Sequence, residues 1–151
     1  MSPPSHRLAA RQRGVAAVEM ALVLPLMVLL LAFPLFLGRV FWHYTVIQHA
    51  AQHAARYLSK APASAMSNST RAIAVAAVAD AIIAEELAEL APGTVPYSAR
   101  ISCDVANCVG ITRPVTVQVS IQVLMESSFF PAYMSMSIPL TVSITYPFTG
   151  M

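Results

Sequence analysis

Residues Val15–Gly38 read VAAVEMALVLPLMVLLLAFPLFLG, 24 residues with a single charge, Glu19. About 20 apolar residues span a bilayer as a helix, so the segment predicts a membrane-spanning helix over 15–38. A secretory signal would have a shorter apolar core, about 7–15 residues, and an exit of small residues. The exit here is Phe36-Leu37-Gly38, with a bulky residue where a small one is needed. Two prolines interrupt the run. Pro25 lacks the amide that would bond the Ala21 carbonyl, and Pro34 does the same to Leu30, so each is expected to kink the helix or loosen a turn. Glu19 at the mouth of the span is costly to place there, which makes it a functional-site candidate.

Upstream, Arg7, Arg11 and Arg13 precede the span with no acid before Glu19, and Gly14 follows the last of them. Basic residues stay on the cytoplasmic side. The amino terminus is therefore expected inside, with residues 39–151 outside. Residues 1–14 read as a basic leader ending at Gly14, with Gly14 and Val15 flanking a processing site. The whole chain carries +2, too little to argue for nucleic acid. Without the leader it would hold six basic against seven acidic residues, or −1. Hydrophobic residues make up 57% of the 151 and charged residues 11%. That balance leans away from an average soluble globule, and the length suits one small domain beside the span.

The helical pattern continues past the span. Val40, Tyr44, Ile47, Ala51, Ala54 and Leu58 recur at steps of four and three, an apolar seam along one face. Thr45, Gln48, His49, Gln52 and Arg56 lie opposite. Residues 39–60 therefore read as an amphipathic extension of the same helix. A helix over residues 15–59 would be about 68 Å long at ~1.5 Å per residue, about twice the hydrocarbon thickness. Its second half must lay its seam on something, most simply the chain's own domain. Trp42 and Tyr44 stand where interfacial aromatics belong. His49 and His53 have the i, i+4 spacing of helical metal ligands. No Glu or Cys accompanies them locally, so they read as part of a solvated face and no metal is assigned.

Residues 61–151 read as an extracytoplasmic α+β domain. Lys60–Thr70 is a linker rich in Ser, Ala and Pro, in which Ser67, Asn68 or Ser69 can cap a helix. Residues 71–90 form that second helix, ending near Pro92-Gly93, with Glu85, Glu86 and Glu89 on a solvated face. The period then changes to two. Tyr97 to Cys103, Val115 to Val123 and Ile138 to Thr145 each alternate apolar with hydroxyl or amide residues. These are three half-buried strands of an antiparallel sheet, and such a sheet needs a helix against it. The apolar loop Glu126–Met136 reads as local core filling, or as a contact surface for a neighbour or the membrane. Cys103 and Cys108, with Asp104 and Asn107 between them, suit a disulfide in an exported domain. Closing so short a loop would stabilise by about 2 kcal/mol.

No phosphate loop, nucleophile–base context or paired CxxC motif is present. No catalytic residue, cofactor or enzymatic activity is therefore assigned. Arg11-Gln12-Arg13-Gly14, followed by Val15-Ala16-Ala17-Val18-Glu19-Met20 and the run to Pro25, resembles the start of TadE-like proteins. These are minor pilins or pseudopilins of the tight-adherence (Tad/Flp) pilus system. The resemblance covers residues 11–39. Met20 stands where that family commonly has an aromatic. The resemblance implies a pilin-like architecture built on the long membrane helix; with the second helix and the three-stranded antiparallel sheet read from periodicity, the expected fold is a pilin-like α+β one. It implies cleavage between Gly14 and Val15 by a prepilin peptidase, which makes Glu19 the fifth residue of the mature chain. Its implied partners are the bacterial inner membrane, other Tad pilins and assembly-platform proteins. The implied role is assembly of a pilus serving adhesion and biofilm formation. A TadF-type role stays open, and so does an uncleaved, membrane-anchored periplasmic binding or scaffold module.

Overall fold

The computed structural model describes residues 7–90, 97–104, 106–108, 113–126 and 137–150. Helix α1 runs over Arg7–Ser59, with Pro25 and Pro34 inside it. It contributes to two compact units, Met1–Arg39 and Val40–Met151. In the first unit the residues from Gly14 onward are almost all exposed, including Leu22, Leu29 and Phe33. α1 is the one helix among the described residues long and apolar enough to cross a membrane.

In the second unit α1 is followed by α2 (Ala63–Met66), α3 (Ser69–Leu87) and a 3-10 turn (Ala88–Leu90). The segment Lys60–Thr70 is thus not wholly linker. Its Met66 is buried and anchors the single turn of α2 to the core, a packing role that its Ser/Ala composition conceals. Asn68 caps α3, its side chain accepting the Arg71 N–H at 3.3 Å, which satisfies one of the amides a helix start leaves open. Ala72, Ala79, Ile83 and Leu87 form the buried stripe of α3, whereas Ile73 and Val78 are exposed.

The strands are β1 (Tyr97–Cys103), β2 (Ala106–Asn107), β3 (Thr116–Glu126) and β4 (Ser137–Pro147). They form an antiparallel sheet in the order β2-β1-β3-β4. Its body is the three expected strands. The addition is the two-residue β2, which folds back beside the end of β1. The loop Glu126–Met136 lies outside the described residues apart from Glu126 at the end of β3, as do residues 91–96. Val115, expected on the apolar face, instead precedes β3 and is 74% exposed.

Period-two patterning sorts the sheet into two faces. Val117, Val119, Ile121, Val123 and Val142 are buried, with Ala99, Ile101, Leu140, Ile144 and Tyr146 half-buried beside them. They share one core with Ile47, Ala50, Ala51, Ala54, Ala55 and Leu58 of α1 and with the stripe of α3. The other face is a grid of polar rows in register: Ser98–Gln122–Thr141, Arg100–Ser120–Ser143 and Ser102–Gln118–Thr145. Within it the Ser143 hydroxyl accepts from Gln118 Nε2 at 2.8 Å and pairs with the Ser120 hydroxyl at 2.9 Å. The molecule is α+β, with helices on one side of an open sheet.

Candidate functional site

The seam of α1 is turned slightly from its expected setting. Ile47, Ala51, Ala54 and Leu58 are fully buried as expected, but Tyr44 is 43% exposed and His43 is buried to 3%. Ala50 and Ala55 widen the stripe. Four alanines on one stripe let the backbones of packed elements approach closely, which a Leu-rich seam would forbid. Their low hydropathy is also why the sequence pattern pointed to Tyr44 rather than to its neighbour. Phe41, Trp42 and Tyr44 stay exposed where the apolar run ends. Rings with a polar tip suit a membrane–water interface.

The amino-terminal residues singled out by sequence lie together on α1. Gly14 is helical, and a Cβ added there would meet nothing within 4 Å. Glycine costs a helix interior about 1 kcal/mol relative to alanine, so the Gly14–Val15 bond sits at a locally weak and open point. Val15 and Glu19 are both exposed. They are one turn apart, and side chains at i and i+4 share a helix face. An amine formed at Val15 would thus stand over the same face as the Glu19 carboxylate.

Three further arrangements belong to the Val40–Met151 unit. His53 Nδ1 and Glu86 Oε1 are in contact between α1 and α3. Sequence reading left Glu86 on a solvated face because its partner lies 33 residues away. His49 tilts toward His53 at a ring separation of 6.3 Å. No group of three or more His, Cys, Asp or Glu suited to a metal ion occurs among the described residues.

A disulfide joins Cys103 to Cys108, with Cα atoms 4.9 Å apart. Asp104 follows the first cysteine with φ 56°, a left-handed setting that aspartate tolerates better than most residues. Its Oδ1 accepts the Thr116 N–H at 2.8 Å, the Val115 N–H at 2.9 Å and the Thr116 hydroxyl at 3.2 Å. The Thr116 amide lowers the Asp104 pKa from the ordinary aspartate value. Desolvation opposes this, and the Val115 amide and Thr116 hydroxyl add to it.

At the other end of the chain, the Thr149 and Gly150 amides and the Thr149 hydroxyl all donate to the Ser59 carbonyl, at 3.0, 3.2 and 3.0 Å. Phe148 is buried beside them, with the Arg113 guanidinium 5.8 Å from its ring centre. This clasp ties the carboxyl-terminal residues to the last turn of α1. The sequence reading missed it. Its one signal is Gly150, whose positive φ of 50° suits glycine.

The family of TadE-like proteins has a model that matches residues 14–56, beginning at Gly14 and covering 43 of the 151 residues. Over those residues the amino-terminal helix is similar to that of TadE-like proteins. No curated protein and no solved structure matches the chain. The TadE-like stretch takes in Gly14, Val15, Glu19, both prolines and most of the buried seam of α1. TadE-like proteins are associated with Tad pilus systems as structural components. The sheet and α3 lie beyond the matched residues.

Proposed function

We propose that this chain is a minor pilin or pseudopilin that takes part in assembling a Tad (Flp-type) pilus and so supports adhesion and biofilm formation. The observation that carries the reading is that the TadE-like match opens on Gly14, directly after the basic leader, and runs through Glu19 and the span. A prepilin peptidase hydrolyses the Gly14–Val15 amide, leaving a carboxylate on Gly14 and an ammonium on Val15. The leader stays cytoplasmic because its arginines do, and the sheet domain is periplasmic before any entry into a fibre. A disulfide at Cys103–Cys108 accords with that oxidising side. Glu19, costly in the lipid layer by itself, is offset by the new ammonium of an adjacent subunit or of its own chain. Assembly-platform proteins and other Tad pilins are the partners.

Mass spectrometry of the amino terminus, on protein taken from its native host, tests this. The expected mature chain starts at Val15. Recovery of Met1 and the arginines alongside normally formed pili would refute the reading and favour a permanently anchored scaffold module. Glu19→Ala is expected to abolish incorporation into the assembly complex while leaving cleavage intact.

A further inference from the structure

The outer edge of β4 is a strand-addition site. We infer that it pairs antiparallel with the β4 of a second copy of this chain, across a two-fold axis at Ser143. The inference follows from hydrogen-bond parity. Phe148 donates its N–H to the Val115 carbonyl at 2.8 Å, one step beyond the Thr116–Pro147 pair. In an antiparallel ladder the residues that turn their amide and carbonyl to one neighbour alternate with those that turn them away. Tyr146, Ile144, Val142, Leu140 and Ile138 therefore bond β3. Thr141, Ser143 and Thr145 aim their N–H groups outward. The other side of β3 agrees, since Asp104 donates to the Thr116 carbonyl at 2.9 Å and so turns the alternate residues of β3 toward β1.

Among the described residues no strand pairs with that outer edge. Sheets usually blunt such an edge with lysines, bulges or a short strand. β4 has eleven residues, pairs with β3 without a bulge and carries no charge from Ser137 to Pro147. Its only devices are Pro139 and Pro147, both on the outward parity, where the missing amide costs the sheet nothing. They leave three outward donors between them.

The prolines also select the occupant. Each lies four residues from Ser143. In a two-fold arrangement about Ser143, Thr141 meets Thr145 of the partner subunit and Ser143 meets Ser143 of the partner subunit. Pro139 then meets Pro147 of the partner subunit, where no amide is available from either side. Every outward N–H between the two prolines is used in both copies, giving about six bonds in three pairs, and the prolines bound the ladder at each end. Being uncharged, the two strands bring no like charges together. The half-buried Leu140, Ile144 and Tyr146 gain cover on the core face, and the polar grid continues across the join. Strand addition of this kind draws its affinity from the main chain. A strand of different sequence would have to match both proline stops as well as the neutral charge.

The test uses the full chain in membranes, with Cys103–Cys108 oxidised so that an introduced thiol is the only free one. Residues in a hydrogen-bonded pair have Cα atoms about 5.5 Å apart, within the ~4.4–6.8 Å that a disulfide spans. Ser143→Cys should therefore give several-fold more covalent dimer on mild oxidation than Gln122→Cys, an exposed control on the same face but in the central strand. Adding Thr141→Lys with Thr145→Lys, both at exposed positions, should abolish the dimer without shifting the thermal midpoint. Equal dimer from Ser143→Cys and Gln122→Cys overturns the inference. So does a dimer that survives the lysines, or a crosslink made only to a different protein. The readout does not depend on leader cleavage, so this inference and the pilin reading can fail separately.

Discussion

Replacing Ile47 by alanine should unfold the sheet domain far more readily than replacing Tyr44 by alanine, although both lie on the apolar side of the same helical pattern. Ile47 is fully buried and belongs to the core shared by α1, α3 and the sheet, whereas Tyr44 is 43% exposed. Truncating a buried Ile, Leu or Met to Ala costs about 2–5 kcal/mol, the lost transfer energy plus a cavity. The neighbours of Ile47 on the helix are Ala50 and Ala51, already minimal in size and held in rigid backbone. They cannot swing inward to fill the space, so the cost should fall in the upper half of that range, about 3–5 kcal/mol. Surface changes usually stay within about 0.5 kcal/mol, and Tyr44→Ala belongs there.

A domain of this size loses about 4–8 °C of midpoint per kcal/mol, so Ile47→Ala should lower the transition by more than ~12 °C. Near-ultraviolet circular dichroism of the full chain in detergent would follow the melt. The span should keep its helicity through that transition, because its residues are almost all outside the core. If Tyr44→Ala destabilised as much as Ile47→Ala, the helix would have to be rotated from the described setting, and the shared core with it.

Two further outcomes follow from local geometry. Asp104 has a lowered pKa in the fold, so its contribution is complete above the unfolded aspartate pKa near ~3.9 and is lost as pH falls through the lower folded value. Asp104→Ala should therefore lower the thermal midpoint at neutral pH, and the gap from the unaltered protein should close in strong acid. A gap unchanged down to the lowest pH would rule out the carboxylate as its origin. Gly150→Ala would place a Cβ 2.6 Å from Phe148 Cε1, at a φ of 50°. With left-handed backbone costing a non-glycine residue about 1–2 kcal/mol, the substitution should release the clasp on Ser59. Faster amide exchange at Thr149 and residue 150 would report it, and unchanged protection would show that the ring simply moves aside.

The parts legible in sequence are those carried by unbroken periodicity. The 24-residue span, the start of α3 and the three main strands each state their pattern within a single segment. The seam of α1 was legible in position but not in angle, because alanines carry too weak a signal to choose between His43 and Tyr44 as the inward residue. α2 was hidden because four residues cannot show a period, and Met66 is its single apolar clue. The His53–Glu86 contact, the Asp104 pin and the Ser59 clasp each join residues brought together only by the fold. At the proposed processing site, charge order and glycine were visible, while the helical setting of the Gly14–Val15 bond was not.

The sheet domain takes part of its core from the last turns of α1. The apolar face of an open sheet must be buried against another layer, and here part of that layer is residues 47–58 of α1. The sheet domain therefore cannot be cut free at the linker after Ser59 without losing Ile47, the four buried alanines and Leu58 from its core. The clasp on the Ser59 carbonyl draws the far end of the chain into the same joint.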